Sequence, residues 1–121
     1  MKFTRFEEIE VWKESRMLVK DIYALTNNKF FSKDFGFRDQ MRRSSVSIPS
    51  NIAEGYERKS NVEFIRYLFI AKGSSGELRT QLYIANDLGY ISNDLVKSLL
   101  EQSEKISKSL SGFIKYLQSK I

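Results

Sequence analysis

The sequence predicts an all-α fold: a single domain over residues 1–121, built as an antiparallel up-down-up-down four-helix bundle with its second helix kinked at Pro49. Three observations predict it. Apolar residues recur at three- and four-residue steps through four long segments. Short connectors carrying Ser, Asp or Gly capping signals separate those segments. No alternating strand period and no hairpin turn signal occurs in the chain.

The first helix is expected from about Phe6 to Thr26. Thr4 and Glu7 have capping-box spacing, with a start one turn later as the alternative. Ile9, Trp12, Val19, Ile22 and Tyr23 form its apolar stripe, widened by Val11, Leu18 and Leu25. Asn27 to Ser32 reads as a connector whose Phe30 and Phe31 plug the end of the bundle. Ser32 or Asp34 caps the second helix, which runs through Phe37, Met41, Ile48, Ile52 and Tyr56. The third helix spans Asn61 to Leu88, with Ser60 and Glu63 as a capping box and Gly89 just past its end. Phe64, Leu68, Ala71, Ser75, Leu78, Leu82 and Ala85 make a four-three seam that keeps its phase across Gly73 and Gly76, so the helix is read as continuous. Ser92 or Asp94 caps the fourth helix, which reaches about Gln118. Its outer face pairs Glu101 with Lys105 and Glu104 with Lys108, a solvated and self-neutralising arrangement.

Composition narrows the function. The chain has no cysteine and no histidine. That excludes a disulfide framework, zinc sites of the usual kind, Ser-His-Asp triads and Cys-His dyads. No enzymatic activity, catalytic residue, metal or cofactor is expected. Lys and Arg number 20 against 15 Asp and Glu, a net charge of +5. The resulting pI near 9.5 is compatible with nucleic acid or another polyanion. No apolar run approaches the ~18 residues of a membrane span. The first residues, MKFTRFEEIEVW, place acids where a signal peptide has its apolar stretch, so a cytoplasmic location and no membrane contact are expected.

The stretch Gln40–Arg58, QMRRSSVSIPSNIAEGYER, breaks the rules of an ordinary helix. It holds the only proline, Pro49, among four serines. Proline removes one helical hydrogen bond and crowds the carbonyl of Ser45, and serine hydroxyls can satisfy freed backbone groups. Small residues here and at Ala71–Gly76 are expected to face each other and let the second and third helices approach closely. Gln40, Arg43, Asn51, Glu54 and Glu77 would need partners if buried, with Arg43 pairing to Asp39 or reaching Glu77. A register-fixing polar network is the ordinary reading. A general acid–base role for Glu54 and Glu77 has no nucleophile, pocket or metal motif behind it.

These residues carry a resemblance. Phe37 to Gly55, then Glu63-Phe64, Gly73-Ser74, Glu77-Leu78 and Gln81-Leu82, resemble the bacterial four-helix-bundle family of 23S rRNA intervening-sequence proteins. Phe6 to Trp12 and the Leu88–Ile91 turn fit as well, so the resemblance spans nearly the whole chain. The specific core is Ser47 to Gly55, of pattern SIPxNIAEG. A proline common in the family's connector before the second helix is absent, and Phe31 and Ser32 stand in that region. The resemblance implies a bundle that assembles as a homopentamer. It also implies a relation to accessory proteins of diversity-generating retroelements, which bind nucleic acid and a reverse transcriptase.

The expected function is therefore a non-enzymatic, homo-oligomeric basic protein that associates with nucleic acid, RNA favoured over DNA, through electrostatic contacts of weak sequence specificity. The candidate contacts are Lys13, Arg16 and Lys20 on the first helix; Arg38, Arg42 and Arg43 on the second; and Arg58, Lys59 and Arg66 around the following turn. For Lys13, Arg16 and Lys20 the bland alternative is a solvated face. A ring of five copies would carry about +25. The alternative function is a protein-interaction scaffold, an accessory subunit for a protein such as a reverse transcriptase, with Phe3, Phe6, Tyr67, Tyr83 and Tyr116 at the interface. Self-association is expected from the third helix, where Phe64, Ile65, Tyr67, Leu68, Phe69 and Ile70 are apolar nearly all round, whereas a lone bundle needs one stripe.

Overall fold

A computed structural model describes residues 3–121. A 3-10 turn at Phe6–Glu8 precedes α1 (Glu10–Leu25), a single helical turn α2 (Lys29–Ser32), and three long helices, α3 (Phe35–Glu57), α4 (Asn61–Asp87) and α5 (Asn93–Gln118). The long helices pack cyclically: α1 against α3, α3 against α4, α4 against α5, and α5 back against α1. Among the described residues the diagonal pairs do not meet, so the cross-section is a square with one shared core. That is the expected four-helix bundle.

Local chemistry sets each boundary. The N-terminal start differs from expectation because Glu8, not Glu7, takes the Thr4 amide (2.8 Å) and hydroxyl (3.0 Å). This clasp tightens the chain into the 3-10 turn and delays α1 to Glu10. Glu7 is drawn away by Arg5 at 2.9 Å. The connector after α1 is more ordered than its sequence implies. Asn28 Oδ1 accepts from the amides of Phe30 and Phe31, which nucleates α2, while its Nδ2 donates to the Tyr90 carbonyl at 3.0 Å. Phe31 is the fully buried plug. Phe30 stays outside, stacked on Tyr90 with ring centres 5.8 Å apart. Asp34 caps α3 through the Phe37 amide and also accepts from the Tyr90 hydroxyl at 2.9 Å. That hydrogen bond holds the Tyr90 hydroxyl above its ordinary pKa. Ser60 and Ser92 cap α4 and α5.

α3 runs unbroken through Pro49, but among the described residues no side chain takes up the Ser45 carbonyl that the proline frees; the polar side chains bond other carbonyls of the helix. Ser45 donates to the Arg42 carbonyl and Asn51 to that of Ser47, while the one hydroxyl proton of Ser44 is shared between the Gln40 carbonyl and Glu77. α4 is continuous across both glycines, and its predicted seam from Phe64 to Ala85 is buried throughout.

The α3–α4 contact is close for a reason the small-residue pattern anticipates only in part. Ser47 and Ser74 share a hydrogen bond of 2.9 Å, and Ser44 donates to Glu77 at 2.7 Å. Gly55 lies directly under the neighbouring helix: a Cβ there would stand 2.6 Å from Tyr67 Cβ and 3.0 Å from Phe64 Cδ1. Gly73 and Gly76 do not contribute, because a Cβ on Gly73 would meet nothing within 4 Å and one on Gly76 only Arg79 at 3.7 Å. Two charge pairings also depart from expectation. Lys105 reaches across to Glu14 on α1 at 3.3 Å, a half-buried carboxylate that holds it better than the exposed Glu101. Glu104 and Lys108 form no ion pair among the described residues and remain solvated.

Candidate nucleic-acid interface

The polar latch expected of Arg43 is not made. Ser44 occupies the Glu77 carboxylate, and Arg43 points to solvent with no ion pair among the described residues. Glu54 is exposed and accepts from Tyr67 (3.3 Å) and Arg58 (3.4 Å). Asn51 is satisfied within α3.

The apolar stripe of α1 is rotated relative to the one read from spacing. Its core positions are Val11, Ser15, Leu18 and Ile22. Trp12, Val19 and Tyr23 stand to one side, where α1 meets α3, and wall a groove. One cavity of about 330 Å3 is lined by Trp12, Arg16, Val19, Val46 and Pro49, among others. The next, about 530 Å3, is lined by Tyr23, Asp39, Arg42, Arg43, Val46 and Ser47. Val46 belongs to both, so the two form one open furrow along the α1–α3 seam.

Cations and rings are interleaved in this furrow. The Arg16 guanidinium lies 5.6 Å from the centre of the Trp12 ring, and that of Arg42 lies 4.6 Å from Tyr23. Such pairs orient a guanidinium without neutralising it. Arg42 is further fixed by the Thr26 hydroxyl at 2.8 Å and the Asn27 side-chain oxygen at 3.2 Å, so it also locks the end of α1 to α3. Lys20 lies one helical turn beyond Arg16 and is exposed without an ion pair among the described residues. Lys13, three residues before Arg16, sits 3.8 Å from Glu10.

The remaining candidates lie elsewhere. Arg38 rests on the Phe35 ring at 4.7 Å and pairs with Asp39 at 3.3 Å. Arg58, Lys59 and Arg66 gather at the α3–α4 turn, about 24 Å along α3 from Arg42. Arg58 and Arg66 flank the Tyr67 ring at 5.1 and 4.6 Å, and the Tyr67 hydroxyl bonds Arg58 at 2.6 Å. Both are committed to carboxylates, Arg58 to Glu54 and Arg66 to Glu63. The bond to Arg66 lowers the pKa of Glu63 and raises that of the arginine. Lys59 has φ +58° and its ammonium lies 4.8 Å from the Tyr56 ring. Of the nine candidates, Arg16, Arg42 and Arg43 line the groove without an ion pair among the described residues, with Lys20 beside them; Lys13 and Arg38 are paired to Glu10 and Asp39, and at the turn Arg58 and Arg66 are paired while Lys59 is not.

The pattern of the family described as 23S rRNA-intervening sequence protein matches residues 7–112. The chain belongs to that family. Among solved structures it is similar to a protein of unknown function from the S23 ribosomal protein family of Bacteroides thetaiotaomicron VPI-5482. The two are 30% identical, the match covers 87% of this chain and 95% of that one, and the TM-score is 0.80. Comparison with curated proteins yields no match. The 23S rRNA-intervening sequence match takes in Trp12, Arg16, Tyr23, Arg42 and Arg43, and so nearly all of the groove.

Trp12 and Tyr23 are the site residues that sequence reasoning misses, because spacing places both in the core stripe. The available signal is the i,i+4 spacing of Trp12 to Arg16, which sets a guanidinium on an indole. The other interface aromatics fare differently: Tyr67 is buried, Phe3, Phe6 and Tyr116 are half-buried, and Tyr83 is exposed. No helix among the described residues is long and apolar enough to cross a membrane.

Proposed function

We propose that the protein is a non-enzymatic, homo-oligomeric, cytoplasmic nucleic-acid-associated protein that binds RNA by electrostatic, weakly sequence-specific contacts. The observation that carries the reading is the α1–α3 groove, where Arg16, Arg42 and Arg43 face a single acid, Asp39, among the described lining residues. A net charge of +5 supplies the long-range field. Membership in a family described by 23S rRNA intervening sequences makes RNA the first nucleic acid to test.

Self-association is supported by the outer face of α4. Val62, Phe69, Ile70, Tyr83 and Ile84 are exposed there, Phe69 at 50% and Tyr83 at 56%. Gly73 and Gly76 lie between them, each costing about 1 kcal/mol against alanine in a helix interior. Nothing among the described residues requires either glycine. A second copy packing its backbone close to this stripe gives them a use, and a five-fold ring is the form implied by the resemblance. The same stripe supports a second reading, an accessory subunit whose partner is another protein such as a reverse transcriptase. A pull-down from the native host that recovered RNA without protein would count against that alternative.

The test is a mobility shift with a labelled structured RNA at ~50 mM salt and micromolar protein. Binding is expected, and its absence would sink the nucleic-acid reading. Sedimentation velocity tests assembly, with a strictly monomeric profile as the refuting result.

A further inference from the structure

The groove has more than a phosphate site requires. Phosphates of a duplex need cations alone, yet Val19, Val46 and Pro49 give this groove an apolar floor, and Trp12 and Tyr23 wall it with rings. Rings and apolar surface are what unpaired bases use, since every base has a face to stack and hide from water. We propose that the α1–α3 groove takes a single-stranded nucleic acid, with bases stacked against Trp12 and Tyr23 and phosphates on Arg16, Lys20 and Arg43. The proposal rests on the nucleic-acid reading above and names the form of ligand.

The dimensions agree. Trp12 and Tyr23 share one face of α1 about 16 Å apart, and the α3 wall from Asp39 to Ala53 is about 21 Å long. At 3.4 Å per stacked nucleotide, that wall spans about six nucleotides, within the site sizes of single-strand binders. The two rings play different parts. Arg42 is tied to Thr26 and Asn27, so it stays on Tyr23 and the pair forms a fixed platform. Arg16 rests on the Trp12 ring without such ties among the described residues, so a base can take its place while the guanidinium turns to the adjacent phosphate. Asp39 lies at the Arg42 end, where it repels phosphate and sets the limit of the strand.

Trp12 is the sole tryptophan, so the site has a built-in reporter. The full chain is titrated at ~50 mM salt with a single-stranded RNA of about 12 nucleotides, a duplex of the same length, and heparin, following tryptophan emission and, in parallel, binding by competition against a labelled strand. The expected result is saturable quenching by the single strand, while the duplex and heparin compete without quenching. Tyr23→Ser is expected to weaken single-strand binding roughly 5- to 150-fold, the loss of one stacked base, and to weaken heparin binding far less, through the loosened Arg42 alone. Single-strand binding without a change in emission, or an equal loss for heparin in Tyr23→Ser, overturns the proposal while leaving a basic nucleic-acid-binding protein. Emission that changes with protein concentration alone makes the groove an interface between copies and also overturns it. Failure of every polyanion to bind overturns both readings.

Discussion

Gly55→Ala isolates the contact that sets the α3–α4 distance. In an exposed helix this change is favourable by about 1 kcal/mol, because alanine loses less backbone entropy. Here the new Cβ would stand 2.6 Å from Tyr67 Cβ and 3.4 Å from the Phe64 Cα. Carbon atoms prefer about 3.5–4.0 Å, so the two helices must part by about 1 Å. Neither obstacle is the far end of a flexible side chain, which puts the cost near the upper end of overpacking, about 3 kcal/mol. The net loss is about 2 kcal/mol, or a fall in Tm of roughly 6–12 °C for a chain of this size. Urea and thermal unfolding followed by circular dichroism, at one fixed protomer concentration, measure it. Gly112→Ala is the matched control, since a Cβ there meets nothing within 4 Å, and it is expected to be stabilising. A Gly55→Ala variant as stable as the parent would refute the close-approach argument.

Three further outcomes follow from the same geometry. Ser75 and Ser103 bond to each other inside the core at 3.0 Å, so either single change to alanine should cost about 1–3 kcal/mol. The double change should cost less than the two singles summed, and strict additivity in a double-mutant cycle would contradict a paired role. Gly73→Ala should stabilise the dissociated chain by up to about 1 kcal/mol and weaken self-association; sedimentation unchanged from the parent would remove the α4 stripe as the subunit contact. The Glu8 carboxyl is held below its ordinary value of 4.5, first by the Thr4 amide and then by its hydroxyl. A folded pKa below the unfolded one means that the clasp contributes above 4.5 and is lost as pH falls through the folded value. The Thr4 amide shift in an NMR titration should therefore turn over below 4.5, and a midpoint at or above it would contradict the clasp.

The bundle is legible because its signals agree at every level: heptad seams on α4 and α5, serine and aspartate caps, and Gly89 in the left-handed region at φ +77°. The groove is less legible. Spacing defines a stripe only to within a few tens of degrees around a helix, and that margin separates a core position from a groove wall for Trp12, Val19 and Tyr23. Long charged side chains choose among several partners at similar range, which is why Lys105 goes to Glu14 and why Ser44, not Arg43, holds Glu77. The α2 turn depends on Asn28 finding Tyr90, a contact 62 residues away that no local pattern encodes.

On the proposed function, the uncompensated groove cations bind nucleic acid by charge. The salt dependence of RNA affinity tests it most directly. Micromolar binding is expected at ~50 mM salt, its logarithm falling linearly with log salt. In Arg43→Ala the slope should be shallower by about 0.7–0.9 per protomer, because one phosphate is left without its cation. Affinity indifferent to salt, or a slope unchanged by Arg43→Ala, would contradict it.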